Sequence, residues 1–352
     1  MAQFEIKDGT AIIPEGVKVI EDKAFQGCTS LKSITIPESV KEIGRRAFEG
    51  CTSLENITIP EGVTEIGSCA FEGCTSLENI TIPEGVTEIG GYAFEGCTSL
   101  ESIIIPESVK NIGIGAFRYC TSLESITIPE SVTEIGNDVF KGCKSLKSII
   151  IPNSVTEIGG YAFYGCTSLK SIIIPDSVTE IGEDAFNGCT SLESITIPES
   201  VTEIGDWAFA NCESLTSIII PEGVTSIGER AFSYCTNLIS ISIPKSVNSI
   251  GNSLLGSCDN LKKVFWKCSV QPRSYGGSVT YTANNDYASG KWFKVYPMLG
   301  NMFEVDGVTY IPTSMSERTC DVVDYDYYRI ATSVNVGATV TYKNVEFTKI
   351  IL

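Results

Sequence analysis

Residues 36–58 read IPESVKEIGRRAFEGCTSLENIT, and this 23-residue phrase returns with small changes along most of the chain. Aligned on its proline, it recurs eleven times without a slip, from Pro14, Pro37 and Pro60 to Pro221 and Pro244. A cysteine keeps the same step from Cys28 to Cys258. A fixed period of this length is the sequence signature of a solenoid. One unit is too short to enclose a core, so it must bury its apolar side chains against copies of itself.

Comparing the copies separates fixed columns from free ones. Val40, Ile43, Ala47, Phe48, Cys51, Leu54, Ile57 and Ile59 stand in fixed apolar columns, whereas the pair ahead of the alanine varies, as in Arg45-Arg46, Gly91-Tyr92 and Asp206-Trp207. The fixed columns are therefore expected inside and the free ones outside. Leu54-x-x-Ile57-x-Ile59 ends in a period-two alternation, which predicts a short half-buried strand. Pro60 closes it, because proline cannot donate to a ladder. Gly67 marks a corner where a positive φ is expected. The return segment opening at Ala70-Phe71 has room for no more than a turn or two of helix. The column from Phe25 to Phe232 should stack ring on offset ring.

Neighbouring column cysteines come within disulfide reach. Their Cβ bonds point the same way and eleven cannot all pair, so the column reads as buried thiols that pack as small hydrophobes. Of the 14 cysteines, Cys69, Cys268 and Cys320 stand outside the column. Redox or zinc chemistry is the alternative, chiefly at these three.

The strand phrase Leu-x-x-Ile-x-Ile-x-x-Ser-Val resembles the leucine-rich repeat signature. The whole unit, with its Ile-Gly-x-x-Ala-Phe-x-Gly-Cys-x-Ser-Leu return, resembles the BspA-like subfamily over residues 11–264. The resemblance implies an α/β, right-handed leucine-rich repeat solenoid with a parallel β-sheet on its concave side. It also implies the subfamily's setting, that of bacterial or protist surface proteins that bind host or neighbouring-cell proteins.

Three parts are expected. Residues 1–266 form the solenoid of eleven repeats, its N-terminal cap a hairpin around Asp8-Gly9. Residues 267–300 resemble the helix-and-strand cap that closes many such arrays. Residues 301–352 form a small β-rich module, with a hairpin around Asp306-Gly307 and a strand pair over Val336–Phe347. The 86 residues from 267 onward hold 13 aromatics. Tyr325, Tyr327 and Tyr328 belong either to a small β core or to a sugar- or protein-stacking surface.

The chain carries 25 basic and 43 acidic residues, a net charge of −18, and the whole excess falls before residue 267. That sign opposes phosphate binding, so nucleic acid is not an expected partner. With no histidine, serine–histidine and cysteine–histidine nucleophiles and histidine metal sites are excluded. No phosphate loop, nucleophile elbow or distinctive acid pair stands out, and no cofactor or enzyme activity is expected. No run of 18 apolar residues exists to enter a membrane. The first residues lack a basic stretch followed by an apolar run, so no secretory signal is read there. The chain is then cytoplasmic, or its signal lies outside this sequence; the resemblance favours the cell surface or the extracellular space.

The expected working face is the outward side of the strands. One column on it runs through Thr58, Thr81, Ile104, Thr127, Ile150, Ile173, Thr196 and Ile219. Exposed isoleucines in a Thr/Ser field form a semi-apolar strip that suits a protein partner, although β-branched residues also simply suit strands. Glutamates stack in rows, Glu38 to Glu130 in one and Glu65 to Glu203 in another, the second interrupted by Asn111. Solvated faces are the ordinary reading of such rows; basic partners or Ca²⁺ between carboxylates are the alternatives. The favoured function is monomeric, non-enzymatic adhesion or recognition through the concave face. The alternatives are a structural spacer, or carbohydrate binding through the aromatic tail.

Overall fold

The computed structural model describes residues 4–261 and 263–268, with only the backbone described at 263–266 and in short strands between 282 and 349. Each repeat makes one turn of a coil and contributes two short strands. A first file of strands runs from Thr10–Ile12 and Ser33–Thr35 to Ser217–Ile219, Ser240–Ile243 and Lys263–Trp266. A second file of two-residue strands runs from Val19–Ile20 and Glu42–Ile43 to Ser249–Ile250. Within each file paired residues lie in parallel register with their copies 23 positions on, as Ser102, Ile103 and Ile104 do with Ser125, Ile126 and Thr127, and Glu157 and Ile158 with Glu180 and Ile181. The first file divides into three sheets, between Asn79–Thr81 and Ser102–Ile104 and between Ser194–Thr196 and Ser217–Ile219. A turn closed by the Val40 N–H on the Pro37 carbonyl (3.1 Å) joins the two strands of a rung.

The rest of each rung corrects the α/β expectation: among the described residues there is no helix. The return run is a chain of turns whose backbone donors alternate in direction. Arg46, Phe48 and Gly50 donate to Ser68, Ala70 and Glu72 of the next rung, at 3.0, 2.8 and 2.7 Å. Ala47, Glu49 and Cys51 donate three residues back, to Gly44, Arg46 and Phe48. An α-helix would direct every donor along its own axis and leave the neighbouring rung's carbonyls unmet. The left-handed backbone at Arg46 (φ 58°) and Gly50 (φ 70°) breaks any helical run as well.

The positive φ therefore falls two residues beyond the place the sequence suggested. Gly67 is outside the left-handed region, and a different constraint holds it. A Cβ there would lie 2.7 Å from the Gly44 carbonyl carbon and 2.8 Å from the Ile43 oxygen. Rungs approach so closely at this corner that only glycine fits.

The fixed columns form one continuous core. Val40, Ile43, Ala47, Phe48, Cys51 and Leu54 are fully buried, and their copies in the following rungs are buried as well. The phenylalanine rings stack at 5.2–5.8 Å between centroids, with interplanar angles of 15° or less. Each buried ring or branched chain contributes about 1.5–3 kcal/mol. The column cysteines and Cys69 are free thiols. Each column thiol beyond Cys28 donates to a phenylalanine carbonyl, as Cys51 Sγ does to Phe25 O at 3.1 Å. Burial, with smaller effects from neighbouring cysteines, raises the Cys51 thiol to about 12 and pushes Cys97 and Cys143 well above their ordinary value. The column cysteines beyond Cys28 are buried among the apolar side chains, as the packing reading expects.

One rung departs from the rest in its alanine column. Val139 occupies the alanine column and is buried. Its Cγ2 lies 3.9 Å from where a Gly136 Cβ would be, and the Ile112 oxygen has withdrawn to the same distance. The second strand file is interrupted here, between Asn111–Ile112 and Glu134–Ile135. Two extra carbons at a site shaped for alanine force the rungs apart.

The N-terminal hairpin forms as expected, with Ile6 opposite Ala11 and both Asp8 and Gly9 at positive φ. Phe4 adds a ring to the column, 5.8 Å from Phe25. At the far end Lys263–Trp266 still pairs with Ser240–Ile243. Later in the chain, Phe303–Val305 pairs antiparallel with Val308–Ser314, and Thr339–Tyr342 with Val345–Lys349. Most of the proposed cap at 267–300, and Tyr325, Tyr327 and Tyr328, lie outside the described residues.

Candidate functional site on the strand face

In each three-residue strand the middle side chain is buried and its two neighbours face out, as Asn56 and Thr58 do around Ile57. Alternation of side chains along a strand requires this. Thr58, Thr81, Ile104, Thr127, Ile150, Ile173, Thr196 and Ile219 accordingly form one outward column beside a column of Ser and Asn. The isoleucines are far from buried: Ile104 is 79% exposed, Ile150 73%, Ile173 81% and Ile219 76%. Ile150 and Ile173 are direct register partners. Ile12, 69% exposed and paired with Thr35, belongs to the same column. The sequence reading left Ile12 out of that column, although alignment on Pro14 places it there.

Charge borders the strip on both sides. The residue ahead of each strand is exposed and runs Glu55, Glu78, Glu101, Glu124, then Lys147 and Lys170. The residue after each proline runs Glu61, Glu84, Glu107, Glu130, then Asn153 and Asp176. The face therefore varies along the coil: a Thr/Ser/Asn floor interrupted by Ile104 lies between two glutamate rows, Ile150 and Ile173 lie beside lysines, and glutamates return as Glu193 and Glu199 around the Ser194–Thr196 strand. Lys147 Nζ meets Glu124 Oε2 at 2.8 Å where glutamate gives way to lysine. Both groups are over half exposed, so the pair adds little stability.

The second strand file carries its own row, with Glu157, Glu180 and Glu203 in register. Partial burial, reinforced by Glu203 and Glu157, holds the Glu180 carboxyl above its ordinary value. The carboxylates stand in single file rather than converging. Among the described residues no group of three His, Cys, Asp or Glu side chains is placed to hold a metal ion.

The free columns of the return run display a further set of aromatics, to which the sequence reading gave no role. Cations already cover several rings: Arg118 lies 4.8 Å from the Tyr119 centroid, Lys141 4.2 Å from Tyr161, and Arg230 4.7 Å from Trp207. These are internal cation–π pairs, which leaves the isoleucine strip as the prominent unoccupied apolar surface among the described residues.

The family model for the BspA type leucine-rich repeat region matches residues 6–120, 41–170 and 156–275, as six copies. The chain belongs to this family. The chain is similar to several solved structures, among them a leucine-rich repeat protein from Bacteroides ovatus, 35% identical over 72% of this chain and 86% of that one, with a TM-score of 0.42. A leucine-rich cell surface protein from Faecalibacterium prausnitzii is 33% identical over 74% of this chain and 79% of its own, with a TM-score of 0.51. The pneumococcal vaccine antigen PcpA is 25% identical over 77% and 70%, with a TM-score of 0.55. No curated protein sequence matches the chain. Among its described residues, this BspA type repeat protein has no helix long and apolar enough to cross a membrane.

Proposed function

We propose that this BspA type protein is a monomeric, non-enzymatic recognition protein of the cell surface or extracellular space, which docks a protein partner on its strand face. One observation carries the reading: four isoleucines, each about three-quarters exposed, stand in a single column between Ile104 and Ile219. Threonine fills the same outward column at Thr58, Thr81, Thr127 and Thr196, so a polar β-branched residue suffices for the strand there and isoleucine is not needed to form it. Exposed apolar side chains in a polar field, here with Ile150 and Ile173 adjacent and Thr127 and Thr196 between the others, are how interaction surfaces present themselves. The description of the Faecalibacterium relative as a cell surface protein agrees with this setting. Among the described residues acidic pairs repeat from rung to rung and single out no catalytic position.

The test is differential capture from a panel of purified extracellular and cell-surface proteins. The bait is the intact chain, set beside a variant carrying Ile150→Asp, Ile173→Asp and Ile219→Asp. A partner held by the wild type and lost by the variant supports the reading. Equal retention by both, or retention of nothing, leaves the array as a spacer and overturns it.

A further inference from the structure

The strand face is not uniform along the coil, and its change of character constrains what can lie on it. From the Asn56–Thr58 strand to the Ser125–Thr127 strand, two exposed glutamate rows flank a floor of Thr, Ser and Asn interrupted once, by Ile104. In the next two rungs the floor becomes Ile150 and Ile173, in register with each other, and the residue ahead of the strand becomes Lys147 or Lys170. Lys147 is shared with Glu124. Lys170 makes no ion pair among the described residues.

A partner matched to the isoleucines alone would strip water from these charges without replacing it, which is unfavourable. A partner matched to both gains attraction during encounter and a fixed register once bound. Resting on the reading of the strand face as a protein-docking surface, we infer that its occupant is an extended polypeptide segment of two-part chemistry lying along the coil axis. Lysine or arginine side chains sit between the glutamate rows. Apolar side chains bracketed by carboxylates sit on Ile150 and Ile173, their carboxylates reaching Lys147 and Lys170. Five rung steps separate Asn56 from Ser171, about 24 Å at ordinary strand spacing, which an extended segment of about eight residues covers.

The test is selection of a displayed library of random dodecapeptides on the purified full-length chain. Two variants serve as parallel targets, Lys147→Glu with Lys170→Glu, and Ile150→Asp with Ile173→Asp. All four positions are exposed, and thermal melts verify that the variants fold. The expected result is enrichment of peptides with a basic block at one end and apolar residues interleaved with acidic ones at the other. Such a peptide, made synthetically, should lose about tenfold or more in affinity for either variant and weaken steeply with added salt. Enriched peptides without segregated charge, or with equal affinity for the lysine variant, overturn the two-part chemistry. If the isoleucine variant still abolishes their binding, docking on the strand face survives that failure. If no peptide is enriched, or if neither pair of substitutions matters, both readings fall together.

Discussion

The rings of Phe117 and Phe140 stand 5.8 Å apart, the widest step between successive members of the column from Phe25 to Phe232. Phe140 follows Val139, the residue that overfills an alanine site. Val139→Ala should therefore stabilise the array, by about 1 kcal/mol, by letting the rungs close. Denaturant melts of the two proteins decide this. A clear loss of stability would mean that the valine methyls fill space the array needs.

Two glycines of the same column should respond oppositely to the same change. Gly67→Ala puts a methyl 2.7 Å from the Gly44 carbonyl carbon and should cost about 1–3 kcal/mol. Gly136→Ala meets nothing closer than 3.9 Å and should be neutral or slightly stabilising, because alanine restricts the unfolded chain. Equal melting behaviour of the two variants would contradict the account of the seam.

The column thiols should resist alkylation while the coil is intact. The thiolate is the reactive form, and burial raises the thiols from Cys51 to Cys258. Cys28, only partly buried in the first rung, should label first. Mass spectrometry after timed treatment at mildly alkaline pH reads the order. Rapid labelling of Cys143 or Cys166 in the native protein would show that the core opens far more readily than its packing implies.

Stability should rise as the pH falls from neutral toward about 5. Burial, Glu203 and Glu157 raise the Glu180 carboxyl, so the folded state binds its proton more tightly than the unfolded chain does. Stability from such a group is fully present below its unfolded pKa and declines as pH rises through the folded value. Glu180→Gln should flatten this slope, and added salt should do so at neutral pH. Melting temperatures across that range provide the measurement; a fall on mild acidification would reverse the sign.

Much of the fold could be read from the repeat. Ile57, Ile59, Phe48 and Cys51 recur at a fixed step, and identical side chains in register can meet only in a stack. The outward column was equally legible, because alternation around Ile57 leaves Thr58 no other side. What escaped was the return run. Local sequence between Gly44 and Cys51 does not announce that every second donor crosses to the next rung, so a helical turn and the true coil look alike there. Gly67 misled for a related reason: its glycine answers to a neighbouring backbone 23 residues away, not to its own torsion angle. Val139 was visible as a departure, but only the distance to Ile112 reveals what it does. The charge pattern beside Ile150 needed the rows placed on one face before its reversal could be seen.

The left-handed position ahead of each alanine is held by bonds from its own backbone, as Arg46 is through Ser68, and not by any demand on its side chain. Arg46, Cys69, Tyr92, Asp138, Tyr161 and Trp207 all adopt it. Chemistry at this site can therefore be exchanged by single substitutions while the coil beneath stays the same. The back of the molecule is in that sense an interchangeable display, open to diversification independently of whatever the opposite side has come to hold.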